Sequence, residues 1–140
     1  MAFLCIIDTN VLVAGLITKD EESPTARLLD AMLGGEILYI LSPALLSEYS
    51  AVLLRPRISK LHGRGSDEVD FLLTEITGNA IWREATEKSS SNSPDPGDAH
   101  LWDLLHSEPE AILITGDRLL LTNPPDVHRL ITPADYFLGA

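Results

Sequence analysis

The feature that most constrains this chain is a short apolar run, Phe3 to Ile7, that stops abruptly at Asp8-Thr9-Asn10 before apolar residues resume at Val11 and Leu12. A continuous run of this kind reads as a strand buried on both faces of a parallel sheet, because a half-exposed strand would alternate apolar with polar residues. The run therefore delivers a carboxylate, Asp8, to the carboxyl end of a buried strand. In open α/β sheets, ligands bind in the crevice beyond those ends. A helix beginning near Asn10 would also accommodate Asp8 as its N-cap, since a cap accepts an orphan N–H and an acid complements the helix dipole. On this stretch alone, capping is a sufficient explanation. A functional role requires further acids at the same edge.

The remaining chain alternates helical and strand patterns. Val11 to Ile17 read as a short helix. Ser23-Pro24 starts another, with Ser as N-cap and Pro as first helical residue, and Gly34-Gly35 ends it. Ile37 to Leu41 is a second buried strand. Ser42-Pro43 repeats the start signal for a helix to about Arg55-Pro56, with Leu45, Tyr49, Val52 and Leu53 on one face. Ile58 to Gly65 read as irregular, with His62 on the surface. Ser66 is expected to cap a helix from Asp67 to Thr77, with Val69, Leu72, Leu73 and Ile76 inward.

Ala80 to Ala85 read as a short strand or edge segment with Trp82 packed, and Lys88 to Pro94 as a loop. In Asp95-Pro96-Gly97-Asp98, Asp95 suits an N-cap, Pro96 the first helical position and Asp98 the acid three residues after the cap. Leu101, Trp102, Leu104 and Leu105 follow at helical spacing. Ala111 to Thr115 is another buried strand, ended by Gly116-Asp117 as Asp8 ends the first. Arg118 to Leu121 read as a short helix, Val127 to Ile131 as a last strand, and Thr132-Pro133 as the start of a closing helix carrying Tyr136, Phe137 and Leu138. Strands alternating with helices predict an α/β fold, a three-layer α/β/α sandwich around a mainly parallel sheet, in a single domain over 1–140.

With 45% hydrophobic residues and a mean hydropathy of +0.11, the 140 residues suffice for one sizeable core. The one cysteine, Cys5, lies inside the first apolar run, so it packs as a small hydrophobe and a reducing, cytoplasmic setting is expected. No stretch approaches the roughly 20 apolar residues of a membrane span, and the first run lacks a signal peptide's basic flank. The formal charge of −11 excludes diffuse attraction to nucleic acid. A phosphate substrate would need bound cations.

Glu48 adds a further acid of interest. The residues three and four positions away, Ala44, Leu45, Ala51 and Val52, are all apolar. Isolated charges are seldom placed so without a partner or a metal. A partly exposed Glu at the edge of the apolar stripe, or an ion pair with Arg55 or Arg57, is the alternative. Asp8 and Asp117 at strand ends, Asp98 on a first helical turn and Glu48 on a helix can share one sheet edge. Gathering carboxylates without basic partners is electrostatically costly, and hard divalent cations such as Mg²⁺ or Mn²⁺ offset that cost.

The order Ile7-Asp8-Thr9-Asn10-Val11-Leu12, then Ser47-Glu48, then Asp95-Pro96-Gly97-Asp98, then Ile114-Thr115-Gly116-Asp117-Arg118-Leu119-Leu120 resembles the PIN domain family. In particular it is similar to small prokaryotic PIN proteins classed as toxins of toxin–antitoxin systems. The resemblance implies a metal-dependent endoribonuclease that binds Mg²⁺ or Mn²⁺ through Asp8, Glu48, Asp98 and Asp117. It implies supporting roles for Asn10 and Thr115, RNA as substrate, an antitoxin partner and a homodimer. Related sequences often carry a further Asp where this chain has Gly97 and an Arg where it has Pro94.

Two other readings fit less well. A haloacid-dehalogenase-type phosphatase needs a second Asp where Asn10 stands and a lysine near the site. A receiver domain needs a lysine after a late strand, and the lysines are Lys19, Lys60 and Lys88. His100, His106 and His128 have no metal spacing and read as structural or surface residues. The alternative from another class is a non-catalytic PIN-like module that binds RNA or protein.

Overall fold

The structure, a computed structural model, describes residues 4–86, 99–117 and 130–137. The expected loop at Lys88 to Pro94, the Asp95-Pro96-Gly97-Asp98 turn with both its acids, the helix at Arg118 to Leu121, the first part of the last strand and Leu138 lie outside them.

The first apolar run forms β1 (Leu4–Ile7) at the centre of the sheet. On one side lie β2 (Leu38–Leu41) and then β3 (Ile81–Trp82); on the other lie β4 (Ala111–Ile114) and then β5 (Leu130–Ile131). Every pairing among these strands is parallel, with Ile6 opposite both Ile40 and Leu113. Cys5, Ile6 and Ile7 are fully buried, as a strand covered on both faces requires. Burial pushes the Cys5 thiol up to about 12, so it stays neutral.

Between β1 and β2 run α1 (Thr9–Ile17) and α2 (Pro24–Leu33); between β2 and β3 run α3 (Pro43–Leu53), α4 (Pro56–His62) and α5 (Ser66–Gly78). The helix α6 (Ala99–Ser107) precedes β4, and α7 (Pro133–Phe137) follows β5. The chain thus steps outward from β1 to β3, then returns past β1 to β4. With right-handed crossovers this reversal places α1 to α5 on one face and α6 on the other, giving the three-layer sandwich. It also opens a crevice between the carboxyl ends of β1 and β4, the switch point at which such sheets bind ligands.

The Ser-Pro signals act locally. Ser23 Oγ accepts the Ala26 N–H at 3.3 Å and Ser42 Oγ accepts the Leu45 N–H at 3.1 Å, with a proline opening each helix. Two buried hydroxyls then tie helices to strands: Tyr39 donates to the Ile76 carbonyl and Tyr49 to the Ile7 carbonyl, each at 2.5 Å. The α1–α2 pair packs closely at Gly15, where a Cβ would lie 2.6 Å from the Thr25 carbonyl oxygen.

Four local expectations are corrected. The segment expected to be irregular contains α4, opened by Pro56 and closed by Gly63 at φ 69°, in the left-handed region that favours glycine. His62 is half-buried rather than superficial, with Nε2 2.9 Å from the Leu53 carbonyl and Nδ1 accepting the Arg64 N–H at 3.0 Å. Ser66 does not cap α5; Gly65 holds that position with no side-chain bond. Trp82 is 45% exposed because β3 is an edge strand. Among the described residues no helix is long and apolar enough to cross a membrane.

Candidate active site

Asp8 follows β1 directly and is 5% exposed. Its backbone N–H donates to the Ile114 carbonyl at 3.0 Å, extending the β1–β4 ladder by one bond into the crevice. It occupies the N-cap position of α1, but its side chain makes no capping bond across the helix's first turn. Instead Asp8 Oδ2 accepts a 2.6 Å hydrogen bond from the Thr115 hydroxyl. Thr115, fully buried, also accepts the Asp117 N–H on the same oxygen at 3.0 Å. One hydroxyl therefore fixes the carboxylate after β1 relative to the backbone after β4. Across the same crevice, Asn10 Oδ1 accepts the Gly116 N–H at 3.5 Å.

Glu48 lies on α3 and is half-buried, but Ala44 and Ala51 beside it are exposed, so it does not sit in an apolar enclosure. Two polar groups hold it. The buried Thr9 hydroxyl, on the first residue of α1, donates to Glu48 Oε2, and His100 Nε2, on α6, lies 3.6 Å from Oε1. Neither Thr9 nor His100 stood out in the sequence. Thr9 carried only its place beside Asp8, and His100 only its place two residues beyond Asp98. His100 Nδ1 is buried and has no hydrogen-bond partner among the described residues.

The two carboxyls are shifted in opposite directions. Burial raises the Asp8 pKa above the ordinary carboxylate range; the bonds from Thr115 and from the Thr9 backbone oppose this, and the charges of Glu48 and Asp117 add to it. Hence Asp8, Glu48 and Asp117 share one electrostatic neighbourhood. Glu48 is lowered, chiefly by the His100 imidazole and then by Thr9 and Arg55, against the effect of burial.

A family model for the PIN domain matches residues 5–119, from β1 to just past β4. This chain belongs to the PIN domain family. The matched span includes Asp8, Glu48, Asp98 and Asp117, and a PIN domain has a nuclease-like fold. Neither the curated proteins nor the solved structures that were searched include a match.

The oxygen-rich donors of this PIN domain suit a hard divalent cation. A carboxyl raised chiefly by its burial, and further by two neighbouring acids, is the type of group that a cation stabilises. Among the described residues, however, no three His, Cys, Asp or Glu side chains converge closely enough to hold one, and Asp98 lies outside those residues.

Proposed function

We propose that this PIN domain is a metal-dependent endoribonuclease acting on RNA, with Asp8, Glu48, Asp98 and Asp117 as its acidic residues. The observation that carries this reading is the raised, buried Asp8 carboxyl at the sheet's switch point, in electrostatic contact with Glu48 and Asp117. Those acids would hold Mg²⁺ or Mn²⁺, which when bound supplies charge neutralisation for a phosphodiester and activation of water. Thr115 fixes the Asp8 carboxylate. Asn10 holds the backbone at Gly116, and with it the start of the segment that carries Asp117. Thr9 and His100 orient Glu48. The roles of toxin, antitoxin partner, homodimer and cytoplasmic protein rest on the resemblance and composition.

The test is cleavage of varied single-stranded RNAs in Mg²⁺ or Mn²⁺ against EDTA. We expect cleavage only with metal and none from Asp8→Asn. Activity that survives that substitution places the chemistry elsewhere. The same assay separates the two acids of Asp95-Pro96-Gly97-Asp98: Asp98→Ala is expected to fold but not cleave, while Asp95→Ala, if Asp95 is an N-cap as the sequence pattern expects, costs about 1 kcal/mol of stability and keeps cleavage. A non-catalytic binding module is favoured by one observation, that both Glu48 oxygens already have partners within the protein. A well-folded protein inert on every RNA would decide for it.

A further inference from the structure

The surface charge of this acidic chain is unevenly distributed. From Tyr49 to Ser66 there is no acid, while Arg55, Arg57, Lys60 and Arg64 all fall there; the rest of the chain carries six cations against 21 acids. The four cations lie on or beside α4, and all are exposed. Among the described residues only Arg64 of the four has an ion pair, a solvated one with Glu68 at 3.7 Å. Arg57, Lys60 and Arg64 line an open groove of about 760 Å³ with Leu54 and Ser59. Leu54 and Leu61 beside them are 43% and 59% exposed and add apolar surface to the groove's rim.

The groove borders the end of α3, the helix that carries Glu48. Arg55, which opens α4, lies two residues beyond the end of that helix. The helix α4 packs against both α1 and α3, the helices that carry Asn10 and Glu48. We propose that the Arg55–Arg64 segment is the docking track for the phosphate backbone of single-stranded RNA leading to the acidic site. The proposal rests on the ribonuclease reading and names where its substrate is held. A polyanion is repelled by the acidic remainder of the surface, so this segment both attracts it and sets its direction of approach.

The experiment measures binding apart from cleavage. Fluorescein-labelled single-stranded RNA is titrated in EDTA at several salt concentrations with wild type, Arg57→Gln/Lys60→Gln, Arg57→Glu/Lys60→Glu and, as control, the exposed Lys19→Gln. Loss of two phosphate contacts should weaken binding by roughly tenfold and flatten the slope of log Kd against log salt by about 1.4. Lys19→Gln should bind like wild type. With metal, the Gln pair should raise KM and leave kcat unchanged. Melting curves confirm folding, and the neutral Gln pair serves if the Glu pair unfolds.

Wild-type affinity in the Gln pair, or an equal loss in Lys19→Gln, overturns the proposal, as does a wild type that binds no RNA. A polyglutamate peptide that competes as well as RNA reassigns the groove to an acidic protein partner and also overturns it. RNA binding that depends on Arg57 and Lys60 without any cleavage upholds the track and removes the nuclease. Cleavage that depends on Asp8 with unaltered affinity in the Gln pair does the opposite.

Discussion

At the residue scale, Asp8 and Glu48 are neighbouring carboxylates whose contributions to stability carry opposite signs. A raised folded-state pKa means that ionised Asp8 opposes folding: the penalty is absent below the ordinary carboxylate pKa of about 4 and grows as pH rises through the raised value. A lowered pKa means that ionised Glu48 favours folding, an effect present above its unfolded value and lost as pH falls through the folded one. In chelator at pH 7, Asp8→Asn should therefore melt above wild type and Glu48→Gln below it, with both differences shrinking toward about pH 4. Equal and pH-independent shifts would show that the two acids do not sense their surroundings as described. Burial of Asp8 and the His100 imidazole beside Glu48 set this contrast; the Thr115 and Thr9 hydroxyls lower both carboxyls alike.

Among the elements, α1 is held to the rest of its layer by close backbone approach at Gly15. Replacing glycine by alanine within a helix ordinarily gains up to about 1 kcal/mol of propensity. Here the new Cβ would meet the Thr25 carbonyl oxygen at 2.6 Å, a backbone atom that cannot move independently, so overpacking of about 1–3 kcal/mol prevails. Gly15→Ala should lower the denaturant midpoint; a rise would mean that α2 shifts freely. Elements whose signals are local were legible in the sequence. Both Ser-Pro starts, the buried face Leu101, Trp102, Leu104 and Leu105, and the three buried strands lie where their patterns put them. The helix α4 was hidden because Gly63 and Gly65 suggested an irregular loop, whereas Gly63 closes the helix in a left-handed conformation. Gly65 hid the start of α5 behind Ser66, whose type suits a cap that it does not form.

For the whole molecule, the positions of Asp8 and Asp117 beyond strand ends were legible because sheet topology gathers the carboxyl ends of parallel strands. Asp8 and Asp117 needed nothing more. The groups that hold Glu48 were not legible: His100 reaches it only because α6 returns to α3 from a distant part of the chain, and no sequence period records such a meeting. If the gathered acids form one cation site, millimolar Mg²⁺ should raise Tm, because a ligand bound only by the folded state stabilises it. Asp117→Asn should gain less from the added metal. Identical melting in Mg²⁺ and in EDTA would remove the shared site. The edge strand β3 has a further consequence. It pairs with β2 over two residues and is followed by Arg83, which offers incoming chains a short and charged hydrogen-bonding rim. Growth of the sheet from one copy to the next is discouraged on that side, so partners that dock there must use side chains rather than add a strand.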